Sequence, residues 1–379
     1  MSSTLIIITA LTIFIGFVFP SKKSVTGLML LYMWMLFAFN TLNSDYTNYK
    51  YIFTAIGNGN KWTMSHYEPG FVAMCSFCAN VLHMDYSGFN MLMATICTIL
   101  FALVLKLYCE WKYQNLVISF FIIVEYWVMI CQYRYYLAML LVLIGIHFYM
   151  NRSKIRGSVI FICFLALGIL FHYSTIIFIV ILLSDRINYK KMLYIIPVSI
   201  AVIFAIRNGY LNSVISIFIP AYKIQRWIYS EARRSMIGIL LLISTRLLLL
   251  FTEKLALQGI KKSNLSESSN QQSSLSAGVL IKMDGLFKVT MSCFVLIILE
   301  MFDKNYERLF RLPMFLLFVF ISYYCRCKKI TVKRIPLGYF LSVSYVGLYM
   351  ITFYISFAGW FHHNLYMVLT YNSIFGVVR

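Results

Sequence analysis

Apolar runs separated by short polar joints recur along the whole chain. In the first half they cover Leu5 to Phe19, Gly27 to Leu42, Gly88 to Leu107, Asn115 to Cys131, Tyr135 to Met150 and Gly157 to Phe171. The second half carries Met192 to Ile206, Met236 to Phe251, Gly285 to Glu300, Leu312 to Cys325 and Pro336 to Phe357, with a shorter stretch from Thr175 to Ser184. Together they predict an all-α, polytopic membrane protein of about twelve transmembrane helices, each about 20 residues long with its polar ends. The run from Leu5 follows no basic segment and ends at Pro20 without a small-residue cleavage site, so it is expected to remain as a span rather than be removed as a leader.

Composition agrees with the pattern. Of 379 residues, 61% are hydrophobic and 12% charged, with a mean hydropathy of +0.79. A soluble core cannot hide so many apolar side chains, which excludes soluble cofactor-binding folds. The 33 Lys and Arg against 13 Asp and Glu leave a charge of +20. In a membrane protein such an excess first sets orientation, so nucleic acid is not an expected partner and the bilayer is.

Basic clusters at Arg152/Lys154/Arg156, Arg186/Lys190/Lys191, Lys254/Lys261/Lys262 and Arg326 to Arg334 mark the cytoplasmic face. Lys22/Lys23 and Lys106/Lys112 join them only if one apolar run in the first half does not cross. Pro69 to Met84 is short, opens with Glu68-Pro69-Gly70 and closes on His83 and Asp85, as suits an outer interfacial helix. The chain is then a single transmembrane domain over residues 1–379. The polar stretch Ser263 to Ser276 reads as a flexible cytoplasmic loop between two helical groups.

The outer joints carry the candidate chemistry. Asn43 to Glu68 places Asp45 just after a span, with Tyr46, Tyr49 and Tyr51 close behind and Glu68 at its end. Acids beside aromatics suit a sugar, although either acid could equally cap a helix. Arg134, in CQYRYYLA at the rim of an apolar run, needs a cavity or a partner, and a phosphate is a natural one because guanidinium grips its oxygens bidentately. His172, in FHYST, stands at an outer end, and Arg308 and Arg311, in NYERLFR, add to a cationic outer surface. Glu125 and Arg246 fall inside apolar runs and should face the bundle interior or water. The nine cysteines lack zinc-ligand spacing and read as membrane-buried thiols, and no metal or cofactor is expected.

DYTNY, YEPGF, QYRYYLA and FHYST, in this order and at these separations between Asp45 and Ser174, resemble the EpsG-like branch of the Wzy-type polysaccharide repeat-unit polymerases. The branch usually has glutamine after the arginine, where this chain has Tyr135. The order of an acidic outer loop, an interfacial helix and a span is also similar to polyprenyl-phosphate-dependent GT-C glycosyltransferases. The resemblance implies a glycosyltransferase in the bacterial plasma membrane. Its substrate would be an undecaprenyl-pyrophosphate-linked oligosaccharide, its product a surface or capsular polysaccharide, and its partners a chain-length regulator and a flippase. It implies that Arg134, with Arg308 or Arg311, binds pyrophosphate, that Asp45 or His172 activates or orients the acceptor, and that Glu68 contacts substrate. A flippase for the same lipid is the alternative, and it would need charges deep within several spans and related halves.

Overall fold

The computed structural model describes residues 3–186, 236–267, 273–302, 304–327 and 367–374, with isolated positions between 194 and 210. The expected spans Met192 to Ile206 and Pro336 to Phe357 lie wholly or mostly outside the described residues. Among those described, helices replace strands throughout; the one β-type pairing is an isolated bridge between Asn40 and Asn372. Five helices are long and apolar enough to cross a bilayer by length and composition: Tyr86–Tyr108, Trp111–Cys131, Tyr133–Asn151, Lys154–Phe171 and Tyr306–Cys325.

The chain divides into two compact units, Met1–Ile179 with Phe357–Arg379, and Val180–Ser356. This boundary falls elsewhere than the polar stretch expected to separate two helical groups. That stretch is also shorter than its composition suggests. Helix Met236–Glu267 runs into it from one side and helix Ser273–Cys293 starts within it on the other, leaving residues 268–272 outside the description. Backbone i to i−4 hydrogen bonds can carry a helix past the end of its apolar face, and side-chain polarity does not report where they stop.

In the first unit, α1 (Ser3–Val18) and α2 (Lys23–Ala38) form a hairpin, and α6 (Tyr86–Tyr108) lies between α2 and α9 (Tyr133–Asn151). The preceding crossing is built from α7 (Gln114–Phe121), a π-helical turn Ile122–Tyr126 that holds the buried Glu125, and α8 (Trp127–Cys131). α10 (Lys154–Phe171) folds back along α9. Lipid is as apolar as leucine, so close backbone approach rather than burial from water holds such a pair. At Gly145 of α9 an added Cβ would lie 2.9 Å from the Cβ of Phe164.

Asparagines fasten the two ends of this unit. At one end Asn115 donates to the carbonyls of Phe19 at 2.6 Å and Lys22 at 3.0 Å, and Thr26 donates to Asn115 at 2.6 Å. Lys23 and Lys112 both lie over Trp111, so the basic joints α1–α2 and α6–α7 share this end. At the other end Asn90 donates to the carbonyls of Phe37 and Ala38 at 3.0 and 3.3 Å, so α6 begins where α2 stops. The returning tail is tied there too: Thr41 N–H donates to Tyr371 O and Ser373 N–H to Phe39 O, each at 2.9 Å.

Everything between α2 and α6 therefore leaves and returns at one end. It comprises α3 (Tyr46–Gly57), α4 (Lys61–His66) and α5 (Pro69–Ser76), the last continued by a π-turn Phe77–Val81. Eight α-helical and five π-helical residues reach about 20 Å at most, short of the roughly 30 Å of bilayer hydrocarbon.

Among its described residues the second unit contains Met236–Glu267, Ser273–Cys293, Ile297–Phe302 and Arg311–Cys327, with short 3₁₀ turns at Phe294–Leu296 and Lys304–Phe310. Arg246, fully buried, pairs bidentately with Glu300 at 2.9 and 3.1 Å and lies 4.3 Å from the centre of the Phe310 ring. An arginine inside an apolar run thus turns inward to a carboxylate, as its cost in hydrocarbon requires.

The arrangement of ends fixes an outcome for labelling. In a background without the exposed Cys163, Asp45→Cys and Asp85→Cys should react with an impermeant thiol reagent from one side of the membrane, and Lys154→Cys from the other. Opposite-side reaction at positions 45 and 85 would mean that residues 69–84 cross.

Candidate functional site

The antiparallel α9–α10 hairpin sets the site. Arg134 lies in the first turn of α9 and His172 follows the last residue of α10, so both stand at the end opposite the Arg152–Ser153 joint. Between them comes Glu68, the residue that opens α5. Pro69 at the first helical position fixes the entry to α5, and its missing N–H is one the helix could not use anyway. Gly70 lets this turn lie against the end of α10: an added Cβ would fall 2.8 Å from both the Cβ and the carbonyl oxygen of Leu170. YEPGF is in this sense a docking motif as much as a chemical one.

Glu68 sits where a helix cap would, yet its side chain makes no cap bond. The carboxylate instead bridges two elements. One oxygen forms an ion pair with Arg134 Nη1. The other accepts from His172 Nδ1 at 3.1 Å and from the Tyr173 backbone N–H at 3.3 Å. Burial by itself would raise the Glu68 carboxyl, but the hydrogen bond from His172 and the charge of Arg134 together outweigh it and hold the group below the ordinary carboxylate range.

An ionised carboxylate only accepts hydrogen bonds, so His172 Nδ1 carries a hydrogen, and whenever the ring is neutral its lone pair is on Nε2. The ring is held further by an edge contact with Tyr135 at 5.5 Å between centroids, and the His172 backbone N–H donates to Gly168 O at 2.9 Å. Tyr135 therefore has a use here, at the position where the related pattern has glutamine.

Aromatic rings surround the guanidinium. Arg134 Cζ lies 5.3, 5.1 and 4.9 Å from the ring centres of Tyr49, Tyr67 and Phe71, and Nε is 3.4 Å from the Tyr49 hydroxyl. Such faces attract a cation while excluding water, which strengthens the pair with Glu68. The Arg134 side chain keeps 15% exposure and His172 14%, so both remain reachable from outside the protein.

Three of the six residues singled out in the sequence thus meet. Asp45 is half-buried at the start of α3, where its side chain makes no cap bond; Tyr49 N–H, one turn on, donates to its carbonyl at 2.9 Å. Arg308 and Arg311 belong to the second unit, the former in the 3₁₀ turn Lys304–Phe310 and the latter, 4% exposed, at the start of the helix that follows. Tyr67 and Phe71 had not been singled out. Their signal was present, since they flank Glu68 within YEPGF.

Glu68→Gln should test the bridge. Amide keeps the size but leaves Arg134 without its counter-ion, and the loss for a pair this sheltered is about 2 kcal/mol or more, read as a lower thermal midpoint in detergent. A depressed carboxyl contributes stability above its unfolded pKa and loses it as pH falls through its folded one. The gap between parent and variant should therefore be full near neutrality and close in acid below the ordinary carboxylate range. A gap that does not change with pH would remove the charge from the account.

No curated protein and no solved structure matches this chain. The family model described as the EpsG family does, over residues 23–373, which takes in every residue of the cluster and reaches the returning tail. The chain belongs to the EpsG family, a family of polysaccharide polymerases of the membrane.

Proposed function

We propose that this protein joins lipid-linked oligosaccharide repeat units into a surface or capsular polysaccharide at the outer face of the bacterial plasma membrane. The observation that carries the reading is the Glu68–Arg134–His172 cluster: a sheltered cation able to take an anion, next to an imidazole held as a base, at the end of the bundle away from the basic joints. The helix Pro69–Val81 then lies in the outer interface, where a polyprenyl pyrophosphate presents its headgroup.

In this reaction the anomeric carbon of the growing glycan leaves its undecaprenyl pyrophosphate and bonds to a hydroxyl oxygen of the next repeat unit. The C–O bond to pyrophosphate breaks with its electron pair, and the hydroxyl proton passes to a base. Arg134 supplies charge to the departing pyrophosphate. His172 Nε2 takes the proton, with Asp45 the other candidate for activating or orienting the acceptor. Pyrophosphate and Glu68 compete for one guanidinium, so donor binding leaves the carboxylate to His172. A chain-length regulator and a flippase would act beside it.

Arg134→Ala should lower chain extension by roughly 10²- to 10³-fold while the protein still inserts. Arg134→Lys should recover little, since an ammonium cannot reproduce the fork. His172→Gln and Asp45→Asn separate the two bases: the true one loses rate far more than substrate affinity. Normal polymer length in the Arg134→Ala variant would sink the assignment. Cells lacking the chain should show single repeat units on the surface; units trapped inside would mean a flippase.

A further inference from the structure

The opposite end of the α9–α10 hairpin carries a feature that the reaction does not use. Where α9 ends and α10 begins, an open cavity of about 440 Å³ is lined by Phe148, Asn151, Arg152, Ser153, Arg156 and Ile160. Arg152 stands in the extended joint that ends α9 and Arg156 in the first turn of α10, and both line the cavity. Among the described residues that line the cavity none is acidic.

Hydrogen-bonding capacity is left over beside these charges. Ser153 is the N-cap residue of α10, but its hydroxyl makes no cap bond. Asn151 Nδ2 is directed to the His147 carbonyl at 2.7 Å, which holds that side chain at the rim. Phe148 and Ile160 supply an apolar wall. On the same helix Ile155, Val159 and Ile162 are 80, 56 and 47% exposed, spaced so that they share one apolar face of α10.

Depth decides what such a cavity can meet. α9 has 19 residues and α10 has 18, hence about 28 Å of helix, which matches the hydrocarbon thickness of a bilayer. A cavity at the end of this hairpin lies at the level of the lipid phosphates. Basic residues kept as cytoplasmic anchors need no cavity, whereas two arginines lining one cavity with an apolar wall complement a phosphodiester carrying acyl chains.

We infer that this cavity binds the phosphodiester headgroup of an anionic phospholipid, with Arg152 and Arg156 gripping the phosphate oxygens and the exposed face of α10 receiving an acyl chain. A zwitterionic lipid is a poorer ligand, because the described lining offers two guanidiniums and no carboxylate to meet its ammonium group. The bound lipid would brace the closed end of the hairpin whose open end presents Arg134 and His172. The inference needs only that the hairpin spans the bilayer, and it is independent of the reaction proposed above.

The full chain, delipidated in detergent, can be titrated with phosphatidylglycerol or phosphatidylcholine and bound lipid counted by native mass spectrometry. The parent should retain phosphatidylglycerol on the order of tenfold more strongly. Arg152→Gln/Arg156→Gln should abolish that preference, Arg152→Lys/Arg156→Lys should keep part of it, and Lys22→Gln/Lys23→Gln should leave it intact. All variants are compared at the parent's size-exclusion profile, and the lysine-for-arginine variant serves if the glutamine pair misfolds. Equal retention of the two lipids by the parent, or equal loss in the Lys22/Lys23 variant, would overturn the site. Displacement of the lipid by millimolar inorganic phosphate would overturn the lipid as the source of the phosphate.

Discussion

A guanidinium at the rim of a membrane bundle needs an anion, and here the anion is the carboxylate of Glu68. Arg134 enters with α9, His172 leaves with α10, and neither helix carries an acid at that end. The acid arrives on a segment that starts from α2 and must fold back over the bundle. Topology and chemistry are thus one fact: a chain that crossed the membrane at residues 69–84 could not bring Glu68 to Arg134 and still start α6 beside the end of α2. The small residue at position 70, the proline before it and the rings of Tyr49, Tyr67 and Phe71 all serve the same contact.

The same economy governs the rest of the first unit. Helices in lipid gain little from hiding apolar surface against one another, so buried amides do much of the fastening. Asn115 closes the carbonyls that end α1, Asn90 those that end α2, and Asn372 of the returning tail reaches the Met35 carbonyl at 3.3 Å. Each answers backbone groups that no water would reach in hydrocarbon. The second unit meets the problem with full charges, through Arg246 and Glu300.

Much of this could be read from residue order. Runs of apolar residues predicted about twelve spans, of which five described helices are long and apolar enough to cross, and the alternation of basic joints singled out residues 69–84, whose helix Pro69–Val81 is shorter than these. Short motifs marked Glu68, Arg134 and His172. What residue order did not convey was partnership. Glu68 precedes Pro69 as a helix cap does, and the difference between a cap and an ion pair lies in where α9 and α10 bring Arg134 and His172, 66 and 104 positions away. Asp45 had the stronger local context and yet stands outside the triad. Likewise the polar residues after Lys262 looked like a loop because composition speaks of solvation, whereas the helix there is continued by its backbone.

The division of charge along α9 and α10 shows how a protein with an excess of +20 can hold a sheltered arginine at the end away from its basic joints. At the Arg152–Ser153 end, Arg152, Lys154 and Arg156 are all exposed, and among the described residues that line the cavity beside them none is acidic. At the other end Arg134 is mostly buried among rings, where water is scarce and a lone charge would be costly. An internal carboxylate makes that position stable, since the pair with Glu68 offsets the cost of burying the guanidinium. The two ends of one hairpin thereby hold cations in opposite ways, one exposed at the surface and the other paired inside the protein.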